Sequence, residues 1–140
     1  MAAAIELSKS CPPSASAFSV GAILVSADGE QLADGYSRES DPHVHAEESV
    51  LNKLSGHVDL MGAIMYSSVE PCTIRKSRPR PCTQLIISAG ISRVVFAWRE
   101  PALLVANCTG AEDLAVAGID VVEISELSSL VAEVNRHLLA

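Results

Sequence analysis

The 140-residue sequence has few charged and few aromatic residues: Asp, Glu, Lys and Arg make up 19% of it, and Phe, Trp and Tyr 4%. It has no run approaching the ~18 apolar residues that cross a bilayer, and no basic segment precedes an apolar stretch near Met1. Basic residues are the scarcer charged class, with 10 Lys and Arg against 17 Asp and Glu and a net charge of −7. Because this surplus repels polyanions, we expect neither a membrane nor a nucleic acid polymer as partner.

Apolar residues, in contrast, make up 49% of the sequence, which excludes a disordered chain. A chain of this length can bury a hydrophobic core, and its composition does not shift along the sequence, so we predict a single domain over residues 1–140. Four cysteines without a secretion signal predict thiols or metal ligands and a reducing cytoplasm as the compartment.

The order of short apolar runs and helical patterns predicts an α/β fold. A hairpin is predicted first, and helices and strands then alternate, which places helices on both faces of a buried sheet. We predict a three-layer α/β/α sandwich with a mixed, roughly five-stranded sheet. The predicted strands are 20–25, 31–36, 63–69, 93–97 and 119–124, and the predicted helices are 2–10, 44–54, 82–89, 110–117 and 126–139.

Three residues with zinc-binding side chains lie where predicted turns meet helices: His45, Cys72 and Cys82. Three protein ligands leave a fourth coordination position open, as in catalytic zinc sites, and a helix N-terminus favours a thiolate. Glu47 lies one turn into the first of these helices, where its carboxylate can transfer a proton to or from a metal-bound water. A structural zinc site with His43 as fourth ligand, and a pair of inert buried thiols, are the alternatives.

These residues resemble the H-x-E … P-C … C signature of the zinc-dependent cytidine deaminase superfamily. Residues 41–47 (DPHVHAE) are similar to guanine deaminases and tRNA adenosine deaminases, and residues 16–22 (SAFSVGA) to cytidine deaminases. Residues 70–72, 80–82, 85–95 and 117–119 resemble the deaminase domain of bifunctional riboflavin-biosynthesis enzymes. The resemblance implies a cytidine deaminase-like fold, one zinc ion per chain held by His45, Cys72 and Cys82, and Glu47 as proton shuttle. It also implies a homodimer or a higher homo-oligomer.

The resemblance implies an enzyme that hydrolyses an exocyclic amine on a small nitrogen heterocycle to a carbonyl, with release of ammonia. We favour a free base, such as guanine, a damaged or analogue purine, a triazine or cytosine, because the riboflavin-type N-P-x-V-G pattern is AFSVG at residues 17–21. The alternatives are a pyrimidine nucleoside or nucleotide, a riboflavin-pathway pyrimidine, and, in another class, a non-catalytic binding module stabilised by zinc.

Substrate contacts are predicted from residues beside these motifs. Phe18 resembles the aromatic that packs near the base in cytidine deaminases, although an aromatic before a strand is also typical of a core. His43 is a candidate for the pocket wall or for a turn. Trp98 and Glu100 follow a strand end, where α/β sheets bind ligands.

The loop between Cys72 and Cys82 carries four cations, and Arg80 is the one we favour as a substrate contact. A phosphate site and a solvated loop are the two interpretations of this cluster, which consists of Arg75, Lys76, Arg78 and Arg80. Cys11 and Cys108 are interpreted as ordinary thiols.

Overall fold

The computed structural model describes residues 1–104 and 106–139. Its five strands are β1 (Gly21–Val25), β2 (Gln31–Tyr36), β3 (Ile64–Val69), β4 (Arg93–Trp98) and β5 (Asp120–Glu123). The helices are α1 (Ala2–Ser8), α2 (Ala46–Asn52), α3 (Cys82–Ala89), α4 (Gly110–Val116), α5 (Ser128–Val134) and α6 (Arg136–Leu139), and a 3₁₀ turn covers Ser125–Leu127.

The strands form one mixed sheet in the order β2-β1-β3-β4-β5. Strand β1 pairs antiparallel with β2 and β3, whereas β3, β4 and β5 are parallel to one another. The carboxyl ends of the three parallel strands therefore meet at one edge of the sheet, where ligand sites of α/β proteins lie. The predicted mixed five-stranded α/β sheet is confirmed.

Helices cover both faces of the sheet, which gives the three layers of the predicted sandwich. Helices α2, α3 and α4 pack on one face and α1 and α5 on the other. One core cluster centres on residues such as Leu24, Met65, Val94 and Leu114, and a smaller cluster consists of Ile5, Val69, Ala97 and Val131. Both faces of the sheet are thus apolar, as the short runs without alternation predict.

Gly35 allows α2 to lie close to the sheet. A Cβ atom at this position would lie 2.9 Å from the Ala46 carbonyl oxygen and 2.8 Å from Ser49 Cβ. The first turn of α2 therefore contacts β2 directly, which fixes where His45 and Glu47 stand relative to the sheet.

The prediction of one continuous helix over 126–139 is wrong. The segment consists of the 3₁₀ turn, α5 and α6, and Asn135 separates the two helices. Asn135 is fully buried: it accepts a hydrogen bond from the Ser19 N–H (2.7 Å) and donates to the carbonyl oxygens of Ser19 and Val131 (3.1 Å each). A contact across 116 residues of sequence thus overrides the helical periodicity. Leu130, which a continuous helix would place on the same apolar face as Val131 and Val134, is 52% exposed.

Within the described residues, no helix combines the length and apolar character that a bilayer crossing requires.

Candidate active site

Three metal-binding side chains lie together at the edge of the sheet. The donor atoms of His45, Cys72 and Cys82 are all within 4.8 Å of one another. His45 Nδ1 is 3.6 Å from Cys72 Sγ and 3.4 Å from Cys82 Sγ. Two thiols and an imidazole are a donor set that zinc prefers, and three protein donors leave one position open. We call these three residues the donor cluster; the residues that the structure describes include no fourth member, and His43 is exposed.

Helix starts place two members of the donor cluster. His45 is the extended residue before α2, and its side chain and that of Glu48 form a capping box with the first turn. Cys82 is the first residue of α3. Pro81 before it is extended (ψ 164°), and the proline ring disfavours helical geometry at Arg80, so the helix begins at Cys82. The third member, Cys72, lies in the turn after β3.

The two thiols of the donor cluster share their protons unequally. The backbone N–H of Cys82 donates to Cys72 Sγ at 3.3 Å. Hydrogen bonds from Cys82 and from His45 lower the pKa of Cys72 below that of a free thiol. The hydrogen bond to Cys72, and then burial, raise the pKa of Cys82. Cys72 is therefore the thiol of the pair that ionises more readily, and a metal bound by both thiolates would displace their protons.

Glu47 is buried beside the donor cluster, with 3% of its surface exposed. The hydroxyl of Ser67, a fully buried residue of β3, donates to Glu47 Oε1 at 2.9 Å. Burial, and then the negative charge of Cys72, raise the pKa of Glu47. A fixed carboxyl group with a raised pKa is suited to general acid–base chemistry.

Glu100 follows β4 and is close enough to the donor cluster to respond to the charges of Cys72 and His45. Burial raises the pKa of this half-buried side chain to about 7. Trp98, the last residue of β4, contacts Phe18 edge-on, with ring centroids 5.6 Å apart and planes at 79°. Phe18 itself is 7% exposed, so it packs in the interior next to the strand end that carries Trp98 and Glu100.

Two of the predicted substrate contacts, His43 and Arg80, are exposed at the protein surface. His43 is exposed in a turn, and its backbone N–H donates to Asp41 Oδ1 at 2.7 Å. Arg80 is exposed and folds onto α3, where it donates to the Gln84 carbonyl oxygen at 3.4 Å and to the Ser88 hydroxyl. The structure thus brings Glu47 and Glu100 to the donor cluster, while His43 and Arg80 lie at the surface.

The remaining two cysteines donate hydrogen bonds to backbone carbonyl oxygens. Cys11 Sγ donates to the Val20 carbonyl oxygen at 3.4 Å. Cys108 Sγ donates to the Pro71 carbonyl oxygen at 3.7 Å, and burial raises the pKa of Cys108 to about 12. Both thiols are therefore protonated at neutral pH, because burial also raises the pKa of Cys11.

Glu70, a buried residue two positions before Cys72, is not among the site residues that we predicted from the sequence. Glu70 Oε2 accepts the backbone N–H of Glu100 at 3.2 Å, and Oε1 accepts that of Ala111, in the first turn of α4, at 2.9 Å. The start of α4 also lies close to the Pro71 backbone, which requires a glycine at position 110, because a Cβ atom there would lie 2.0 Å from the Pro71 carbonyl oxygen. The E-P-C triplet was visible in the sequence, but its partners lie 30 and 41 residues away.

Comparison with known proteins identifies the family. The family model of the cytidine and deoxycytidylate deaminase zinc-binding region matches residues 1–98. The chain belongs to this family. The match includes His45, Glu47, Cys72 and Cys82, and the predictions of a deaminase superfamily member and of a zinc cofactor are confirmed.

Riboflavin-pathway proteins are among the most similar relatives of this deaminase-family chain. It is 44% identical over 126 residues to the diaminohydroxyphosphoribosylamino-pyrimidine deaminase of Schizosaccharomyces pombe, an alignment that covers 88% of this chain and 31% of that protein. The chain thus spans less than a third of this relative's length.

Solved structures agree with the sequence comparison. The diaminohydroxyphosphoribosylaminopyrimidine deaminase/5-amino-6-(5-phosphoribosylamino)uracil reductase of Thermotoga maritima matches with a TM-score of 0.82 and 32% identity, over 99% of this chain and 39% of that chain. The Aspergillus oryzae Rib2 deaminase, solved in complex with DARIPP, matches with a TM-score of 0.80 and 29% identity, over 95% of this chain and 86% of that chain. These neighbours confirm the cytidine deaminase-like fold.

Proposed function

We propose that this chain hydrolyses the ring amine of a diaminohydroxypyrimidine that carries a phosphoribosylamino group, which gives the ring carbonyl and ammonia. The observation that carries the proposal is the buried Glu47 beside the donor cluster. The name of the 44%-identical relative supports the choice of substrate. This is the riboflavin-pathway alternative of the sequence analysis, and the relatives favour it over the free base that we preferred there.

The donor cluster fits a zinc ion, and we propose His45, Cys72 and Cys82 as its ligands. When bound, zinc supplies a nucleophile at neutral pH by lowering the pKa of its water to about 7. Cys72 Sγ and His45 Nδ1 are already 3.6 Å apart, so little reorganisation of these side chains is required. The need for two reduced thiols also supports a reducing compartment, the cytoplasm, as the location of the protein.

Glu47 is proposed as the catalytic proton carrier. Ser67 holds Oε1, which orients the carboxyl group and leaves proton transfer to Oε2. Oε2 takes one proton from the attacking water and gives it to the ring nitrogen. It then takes the remaining proton of the added hydroxyl group and gives it to the amine, which leaves as ammonia while the carbonyl forms. Burial raises the pKa of Glu47, which favours its accepting a proton and then returning it.

The loop between Cys72 and Cys82 provides positive charge for a phosphate. Two of its four cations, Arg75 and Arg78, form ion pairs with Glu48 and Asp41. Lys76 and Arg80 are exposed, and among the described residues neither forms an ion pair. Two cations of this loop therefore remain for a substrate phosphate, on a protein whose net charge is −7.

The ring of the substrate is proposed to lie between the donor cluster and the end of β4. Trp98 offers an aromatic surface for stacking, and Phe18 holds Trp98 from the side through their edge-on contact. Glu100, with a pKa of about 7, can donate or accept a hydrogen bond at a ring amine. His43 lies on the exposed turn before α2 and is proposed at the rim of the pocket.

The one-domain organisation of residues 1–140 and a homodimer or higher homo-oligomer also remain proposals. Apolar side chains at the C-terminal helices support association, since Leu130 is 52% and Leu139 42% exposed. Light scattering on the purified protein measures the mass directly, and a monomer at working concentration would contradict this part of the proposal.

The test is ammonia release by zinc-loaded protein from the phosphoribosylaminopyrimidine, with guanine, cytosine and deoxycytidylate as competing substrates. The control is Glu47→Gln, which keeps the shape of the side chain and the oxygen that Ser67 contacts. We expect turnover of the pyrimidine alone, and a loss of about 10²- to 10⁴-fold in kcat for the variant with zinc content unchanged. Turnover of guanine instead would return the substrate to the free-base class. Tightly bound zinc without ammonia from any ring would favour the non-catalytic binding module.

A further inference from the structure

Glu48 contacts the segments that carry all three members of the donor cluster. Its Oε2 accepts the backbone N–H of His45 at 3.3 Å and a guanidinium N–H of Arg75 at 3.0 Å. Its Oε1 lies 3.2 Å from Arg78 Nε. The first contact holds the residue that begins α2, and the other two reach the loop that joins Cys72 to Cys82. A single carboxylate therefore connects the two parts of the chain from which the donor cluster is built.

Both arginines make further contacts, and Arg75 is the more buried of the two. The Arg75 side chain is 3% exposed, and it also donates to the His43 carbonyl oxygen at 2.7 Å. Arg78 donates to Asp41 Oδ2 at 2.7 Å. The Nε atom of Arg75 is buried and, among the described residues, has no hydrogen-bond partner. A buried guanidinium costs free energy unless a carboxylate compensates its charge, and for Arg75 the carboxylate within reach is that of Glu48.

Nine residues separate Cys72 from Cys82. A loop of this length loses conformational entropy when its ends must meet at one metal ion. Contacts at Arg75 and Arg78, inside the loop, reduce the number of conformations it has to lose when the metal binds. Both arginines bind the carboxylate of Glu48, which is three residues from His45 in the sequence.

We propose that Glu48 is a positioning residue for the metal site: through Arg75 and Arg78 it holds the loop between Cys72 and Cys82 against the helix start that carries His45. The inference rests on the proposed zinc ligands. It assigns the two arginines to the metal site and leaves Lys76 and Arg80 as the cations for phosphate.

The test measures zinc affinity by competition with a chelating dye, using wild type, Glu48→Gln, Arg75→Met and the double variant. Glu48→Gln removes the charge but keeps an oxygen for the His45 N–H. We expect each single variant to bind zinc about tenfold more weakly. The double variant should lose no more than Glu48→Gln alone, since Glu48→Gln already breaks the ion pairs with both arginines. Unchanged affinity in Glu48→Gln, or a hundredfold loss in the double variant, would overturn the proposal.

Glu39→Gln is the matched control, because Glu39 also binds the α2 segment, through the Ser49 hydroxyl and Lys53 Nζ. Among the described residues it has no hydrogen bond or ion pair to the loop. It should leave the zinc affinity unchanged, and a tenfold loss there would contradict a specific role of Glu48. Arg75→Lys keeps the buried charge but cannot reach both Glu48 and His43, so it should lose less zinc affinity than Arg75→Met. It serves as the second variant at this position if Arg75→Met does not fold.

Hydrogen exchange on the metal-free proteins provides the second measurement. Glu48→Gln should speed exchange of amides in residues 73–80 and leave those of β3 and β4 unchanged; equal acceleration throughout the protein would mean general destabilisation and would overturn the proposal. His45→Ala separates the two hypotheses. If this variant binds zinc as tightly as wild type, the proposed ligands are wrong. If it loses zinc while Glu48→Gln does not, the ligands stand and the positioning role fails.

Discussion

The buried amide of Asn135 is predicted to contribute a large share of the stability of this protein. Asn135→Ala removes three hydrogen bonds, one from the Ser19 N–H and two to the carbonyl oxygens of Ser19 and Val131. At about 1 kcal/mol for each hydrogen bond, the variant should lose about 3 kcal/mol of unfolding free energy. The higher helix propensity of Ala returns about 0.5 kcal/mol at most. For a chain of this length the loss corresponds to a fall in Tm of about 10 °C.

Urea denaturation, followed by circular dichroism and by the fluorescence of Trp98, the single tryptophan of the chain, measures the effect. Zinc must be held at one concentration, because a ligand that binds the folded state raises the apparent stability. Asn52→Ala is the control, since Asn52 is exposed at the end of α2, and it should change stability by less than about 0.5 kcal/mol. A loss below about 1 kcal/mol in Asn135→Ala would refute the reasoning. Asn135 binds Ser19, which is next to Phe18, and Phe18 contacts Trp98. The fluorescence spectrum of folded Asn135→Ala should therefore differ from that of wild type, and the spectrum of Asn52→Ala should not. The opposite pattern would also refute the reasoning.

Two further predictions concern charge near the site. Lys76→Ala should raise KM for the phosphorylated pyrimidine by about tenfold, the equivalent of one charge-assisted hydrogen bond of about 1.4 kcal/mol. It should leave KM for the dephosphorylated ring unchanged. Equal effects on both substrates would contradict a phosphate contact. Burial raises the pKa of Glu100 from 4.5 to about 7, so the folded metal-free protein binds an additional proton between these pH values and loses stability as the pH rises through them. Urea titrations of wild type should therefore show a loss up to about 3 kcal/mol larger than those of Glu100→Gln over this range, and parallel curves would contradict the assignment.

Much of the fold could be predicted because turn residues mark the ends of apolar runs clearly. Gly90, for example, ends α3 in the left-handed conformation that a helix stop requires, and the predicted helix 82–89 agrees with the structure. The C-terminal helix shows where this kind of reasoning stops. Its periodicity is helical throughout, but the free energy of burying the Asn135 amide against Ser19 decides the local conformation, and no local pattern contains that contact.

The donor cluster could also be predicted, because the side chains that bind zinc are few in kind and two of the three stand at helix starts. The residues that support the site could not be predicted in the same way. Ser67 reaches Glu47 across 20 residues of sequence, and Arg75 reaches Glu48 across 27. Such pairs depend on the pairing of strands and the docking of a loop, and neither partner has an unusual sequence context. The substrate likewise required similarity along most of the chain, since the short motifs resemble three branches of the superfamily at once.

The two hydrogen bonds that Glu70 accepts have a consequence for engineering. They anchor Glu100 at one end of a loop and Ala111 at the other, so the ends of this loop are fixed independently of the residues between them. Ala102 and Leu103 within it are exposed. Each doubling of loop length costs only about 0.6 kcal/mol of conformational free energy. Extra residues inserted between Ala102 and Leu103 should therefore leave the sheet and the donor cluster intact. The loop therefore offers a place where new substrate contacts can be designed without redesigning the scaffold.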